Sequence, residues 1–187
     1  THPRVLALLT SKGGYGIGAG VVVMLSLFGR DVFRAGAYGI GLLYAARGLG
    51  ALLGPFIVRA ISRSPDEQYR KISAAVFLFG LGYIGLAFSP VLSLGALAVF
   101  VAHLGGGAQW LTSTYGLQRE VPDVIRGRVF AADYGFVTLT MSLSSIVAGV
   151  AADRFGPVRA TAATAMLCVA WAAVWGAATW RLWRRSV

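Results

Sequence analysis

Five polar or ionisable side chains stand inside runs that are otherwise apolar: Lys12, Arg47, His103, Gln109 and Asp133. Arg47 stands in "LLYAARGLGALLGPF", almost all Leu, Ala and Gly around one permanent cation. Arg47 and Lys12 make the interior net positive, which favours an anionic group or an acidic partner; a structural ion pair is the other reading of Arg47. Asp133 can pair a cation or carry a proton. His103 offers an imidazole, and a hydrogen-bonded packing role is its preferred reading. "GGGAQWLTSTY" at 105–115 places Gln109, Trp110, Thr112, Ser113 and Tyr115 after three glycines, which reads as a cavity wall or as close helix packing. No Gly-x-Ser nucleophile and no metal-spaced His, Asp or Glu cluster is present, so no catalytic residue, metal or cofactor is assigned and an enzyme is not expected.

The elements that must position these groups are dictated by the medium. The 187 residues are 57% hydrophobic and only 13% charged. The 47 residues from Ile72 to Gln118 contain no Asp, Glu, Lys or Arg. A spanning helix needs about 20 mainly apolar residues, and the runs here predict an all-α membrane protein with six transmembrane helices in one bundle covering 1–187. The spans are placed at 5–27, 37–61, 72–88, 91–114, 129–152 and 158–180. "FSPVLS" at 88–93 divides the long run, since Pro90 lacks a backbone donor and suits a tight helix hairpin. The net charge of +10 does not indicate nucleic acid, because the basic residues gather at span ends rather than along a face. The lone Cys168 lies in an apolar run and reads as a packed thiol.

Sidedness follows from those basic residues. Arg4, Arg59, Arg63, Arg70, Lys71, Arg119, Arg126, Arg128, Arg181, Arg184 and Arg185 collect on one face, and Arg30, Arg34, Arg154 and Arg159 on the other. That asymmetry predicts a multi-pass cell (inner) membrane protein with both termini cytoplasmic. Trp180 and Trp183, beside "RLWRR", read as interfacial anchors, and Trp171 and Trp175 share a helix face for packing or lipid contact.

Depth separates the candidates. At about 1.5 Å per residue, Arg47 lies roughly 15 Å from either end of its span, too deep to snorkel easily, and Lys12 roughly 10 Å inside, from where it could partly snorkel to the cytoplasmic end. Asp133, near the start of its expected span, either belongs to an interfacial first turn or has an ion-pairing or proton-linked role. An ionisable group in hydrocarbon costs about 2.5–3.5 kcal/mol or more. Spans one, two, four and five, which carry the polarity, are therefore expected to line an interior, and spans three and six to face lipid. Ala46, Gly50 and Gly54 leave one stripe of span two bare for close helix approach, and Pro55 interrupts its hydrogen-bond ladder.

"GLLYAARGLGALLGPFIVRAISR" at 41–63, followed by "LQREVPDVIRGRVFAADYG" at 117–135, resembles the C-terminal six-helix half of major facilitator superfamily transporters, in the drug-efflux and enterobactin-exporter-like branch. The resemblance spans essentially the whole chain. It implies one half of a twelve-helix carrier, with an N-terminal six-helix half of the same polypeptide as partner, a small-molecule substrate and proton coupling. The start at Thr1 without Met likewise reads as a piece of something longer. In such a half the first and fourth helices line the cavity, the second and fifth meet the other half, and the third and sixth face lipid. The loop of Arg119, Glu120, Asp123, Arg126 and Arg128 would latch the cytoplasmic side through ion pairs; plain positive-inside anchoring is its other reading. Two look-alikes depart from the family pattern. Gly41, Gly50, Gly54 and Pro55 match the antiporter spacing, but on the wrong half and followed by Val58 and Arg59. "GVAADRFG" at 149–156 matches a cytoplasmic loop signature on the face expected outside.

The expectation is therefore a secondary active transporter half, exporting small amphipathic or anionic molecules by alternating access. Substrate contact or coupling is expected at Arg47, Lys12, Gln109, Trp110, Asp133 and His103, helix packing at Gly50, Gly54 and Pro55, and the lipid bilayer is the surrounding partner. The alternatives are a non-transporting six-helix scaffold or sensor, or a permease subunit.

Overall fold

The computed structural model describes residues 2–62 and 67–183, the Trp183 side chain excepted, so Arg63, Arg184, Arg185 and the Trp183 anchor lie outside the described residues. Seven α-helices follow in order: α1 Pro3–Gly18, α2 Gly20–Leu27, α3 Gly36–Ala60, α4 Gln68–Ala87, α5 Leu92–Glu120, α6 Asp123–Phe155 and α7 Pro157–Trp183. A π-helical turn, Phe28–Val32, continues α2. Together α1, α2 and this turn make one span, Pro3–Val32, and among the described residues six helical spans are long and apolar enough to cross a membrane. Helix is the form that apolar runs of this length must take in lipid, because it satisfies every backbone donor internally.

The helices outrun the expected apolar cores at several ends. The largest difference separates spans four and five, where a loop of fourteen residues was expected at 115–128. The link is only Val121 and Pro122. Pro122 holds φ at −58° and forces Val121 into extended backbone (φ −107°, ψ 124°), so α5 stops and α6 starts at once. Pro122 and Asp123 read as a helix start, but the polar residues on both sides hide how far the two helices run. The link from α6 to α7 is tighter still: Gly156 alone, at φ 83°, a conformation open to glycine, with Pro157 opening α7. The Pro90 hairpin lies where the sequence puts it, between Ala87 and Leu92.

Span one is interrupted. Ala19 separates α1 from α2, and the carbonyl of Ile17 beside the break accepts a hydrogen bond from the Ser144 hydroxyl on α6. Gly20 lies so close to Ser144 that a Cβ would overlap that residue's backbone.

The core is built around α4, α5 and the α1–α2 span. Phe79, Tyr83 and Leu86 of α4 meet Val99 and Ala102 of α5 and Met24, Leu25 and Phe28 of span one. Half of the apolar window in spans one, three and four is buried, against 17% in spans two and five. Span three buries one face in this core and leaves an apolar stripe with Leu78 and Leu81 exposed, and span six contributes buried Trp175, whose indole nitrogen donates to the Ala7 carbonyl at 3.0 Å. α4 carries no interior charge, but its large apolar side chains claim the centre.

The glycines decide which helices touch. Gly50 and Gly54 of α3 abut the backbone of Phe100, Leu104 and Ala108 on α5. Gly105, Gly106 and Gly107 serve three different neighbours: the Ala75 carbonyl on α4, the Tyr15 ring on α1 and the Ala51 carbonyl on α3. Pro55 deprives that Ala51 carbonyl of its helical donor, and the Gly107 backbone fills the space above it. The triple glycine is helix packing in three directions.

Candidate functional site

Lys12 is 1% exposed and Asp133 2% exposed, and they form an ion pair between α1 and α6. α6 begins at Asp123, so Asp133 lies about 15 Å along its helix, not in an interfacial first turn. Lys12 is likewise buried outright rather than reaching toward an interface. Its ammonium also donates to the Thr114 hydroxyl at 3.2 Å and sits 4.6 Å from the centre of the Trp110 ring. Trp110 and Thr114 are one turn apart on α5, so both reach the same cation. Lys12 is therefore enclosed by its own chain: carboxylate, hydroxyl and ring face.

Asp133 is less well served. One carboxylate oxygen bonds Lys12, while the other is buried without a hydrogen-bond partner. Below them Gln109 donates to the Ser11 hydroxyl at 3.4 Å, and its own carbonyl oxygen is buried without a partner. An unmatched buried acceptor costs about 1–3 kcal/mol, so this centre carries unmet polarity as well as charge.

Arg47 enters from α3, half-buried, beside the Tyr15 hydroxyl. Its Nε is shut off from solvent without an acceptor. No carboxylate among the described residues is within ion-pair distance of it. Tyr15 in turn contacts Trp110 at 5.7 Å between ring centres, and Trp110 contacts Tyr134 at 6.5 Å. Lys12, Arg47, Trp110, Gln109 and Asp133 thus fall into one connected cluster drawn from spans one, two, four and five.

His103 has a different setting. Its Nε2 lies 2.7 Å from the Tyr83 hydroxyl, and the ring meets Phe79 and Tyr83 edge to face, inside the α4–α5 core. The other polar residues of 105–115 also separate. Ser113 is buried, Thr112 bonds the Ala108 carbonyl of its own helix, and Tyr115 is exposed under Arg119.

The basic segment at the α5–α6 turn holds local ion pairs. Arg4 meets Glu120 at 3.5 Å, and Arg126 pairs with Asp123 while also donating to the Val121 carbonyl. Arg128 is exposed. Every acid here is matched from α1 or from the start of α6.

Tyr15, Thr114 and Tyr134 were not singled out in the sequence, although the spacing held a signal. Tyr15 lies three residues beyond Lys12 on one face, and Thr114 lies four beyond Trp110. A groove between α4 and α7, lined by Ser73, Ala172, Gly176 and Trp180, is separate from this cluster. Comparison with family models, curated proteins and solved structures finds no match to this chain.

Proposed function

We propose that the chain is the C-terminal half of a secondary transporter of the major facilitator type, exporting small amphipathic or anionic molecules across the inner membrane by alternating access. The observation that carries this reading is the Lys12–Asp133 pair buried between α1 and α6, with Arg47 in the same cluster. Charge at this depth in an apolar bundle is costly, and a pair of apolar residues would hold two helices as well or better. Its retention fits a site that binds and releases charge. Two cations against one carboxylate leave the cluster positive, which favours an anionic group.

Spans two and five, the least covered within the chain, supply the faces on which an N-terminal six-helix half would dock. Proton coupling, a cytoplasmic position for both termini and a latch role for the α5–α6 turn belong to the same proposal. The half-paired carboxylate of Asp133 is the natural seat for a coupling proton.

The test is Arg47→Ala in the full native polypeptide, reconstituted into proteoliposomes and assayed with a panel of labelled amphipathic anions under an imposed pH gradient. Transport by the wild type and its loss in the variant, at equal membrane insertion, is the expected result. Undiminished transport by Arg47→Ala would remove Arg47 from the site.

A further inference from the structure

The groups lying deepest in the cluster are already engaged with one another. Lys12 has Asp133, Thr114 and the Trp110 ring, and Gln109 has Ser11. What stays accessible is a strip of four side chains from four helices: Arg47 of α3, Tyr15 of α1, Trp110 of α5 and Tyr134 of α6. Arg47 stands by the Tyr15 hydroxyl. Tyr15 and Trp110 meet edge to face at 67°, and Trp110 and Tyr134 do so at 89°. Tyr15 and Trp110 are half-buried and Tyr134 is 65% exposed, so the strip forms the open surface above the ion pair. Phe79 backs Tyr15 at 4.9 Å and stiffens that end.

We infer that this strip binds an aryl carboxylate, its carboxylate on Arg47 and its ring against Trp110 and Tyr134. The inference deepens the carrier reading and rests on it only for the statement that the ligand is cargo. A guanidinium presents two parallel donors to one carboxylate; the Nε of half-buried Arg47 is shut off, which leaves its terminal nitrogens for a ligand, and no carboxylate among the described residues pairs with it. The Tyr15 hydroxyl supplies a third donor. An organic cation is disfavoured by the positive balance of the cluster. A dianion would demand a second free cation, and Lys12 is held by Asp133. Lys12 covers one face of Trp110, but Tyr134 is 65% exposed beside it, and a planar guest stacking there suits an aromatic body better than an aliphatic one.

Binding of naphthoate, naphthamide and naphthylmethylammonium to the full native polypeptide in phosphatidylcholine nanodiscs, measured by equilibrium dialysis without any gradient, tests this. Naphthoate binds saturably, the neutral amide at least about tenfold more weakly, and the cation without saturation. Arg47→Gln brings naphthoate down to the affinity of the amide, while Trp110→Leu weakens both ligands together. Cyclohexanecarboxylate competes poorly against naphthoate in the unaltered protein, which checks the ring requirement without any variant. Equal affinity of wild type for acid and amide, or a preference that survives Arg47→Gln, overturns the inference. Binding without transport would defeat the carrier reading alone, and transport of other solutes with no preference for the carboxylate would defeat this inference alone.

Discussion

At the scale of single residues, Lys12 and Asp133 hold each other in place. Removing one partner of a buried pair strands the other charge, at about 3–5 kcal/mol, whereas replacing both by apolar residues is often neutral. Lys12→Met and Asp133→Leu should therefore each unfold far more readily than wild type in detergent, and the double substitution should recover most of the loss. Singles that unfold like wild type would mean the pair is not formed. The sequence marked both residues by charge alone. It did not join them, because the fifth span was placed by its apolar run from 129 onward, which left Asp133 apparently near the surface. Tyr15 and Tyr134 were silent for another reason: tyrosine is common in membrane helices, and only the neighbours on other helices give these two a role.

At the scale of elements, the α3–α5 contact depends on backbone meeting backbone. A side chain at Gly54 would run into the Leu104 carbonyl, whereas nothing lies within 4 Å of the corresponding position on Gly48, one face away on the same helix. Gly54→Leu is expected to cost about 1–3 kcal/mol through overpacking, and Gly48→Leu to stay within about 0.5 kcal/mol, by thermal unfolding of the two variants side by side. Equal effects would place the contact elsewhere. The small-residue stripe was readable from its spacing, but its partner was not, since any helix can accept a bare face. Six spans and the Pro90 turn were readable for the same reason that membrane topology generally is: length and apolarity leave few choices. The interruption of span one at Ala19 was not, and the Ser144 hydroxyl that meets the neighbouring Ile17 carbonyl comes from α6, far off in sequence.

At the scale of the whole molecule, the basic asymmetry gives an orientation that the fold itself does not mark. Cys168, the one cysteine of this sequence, is buried, so it does not compete with a cysteine introduced at an exposed position. With an impermeant maleimide on intact cells, Phe88→Cys at the α4–α5 turn should label and Val124→Cys at the α5–α6 turn should not; both positions are widely exposed, at 73% and 94%. The reverse pattern would invert the topology. The broad apolar faces of α3 and α6, with Phe56 and Leu139 among their exposed residues, give the full carrier its docking surface in the proposal above.

The most direct measurement of the central claim is equilibrium exchange of a labelled aryl carboxylate in proteoliposomes, comparing the full native polypeptide with its Lys12→Met/Asp133→Leu form. Saturable exchange by the wild type, absent from a double variant of similar unfolding temperature, is the expected result. Equal exchange by a well-folded double variant would contradict it and reduce the buried pair to a structural tie.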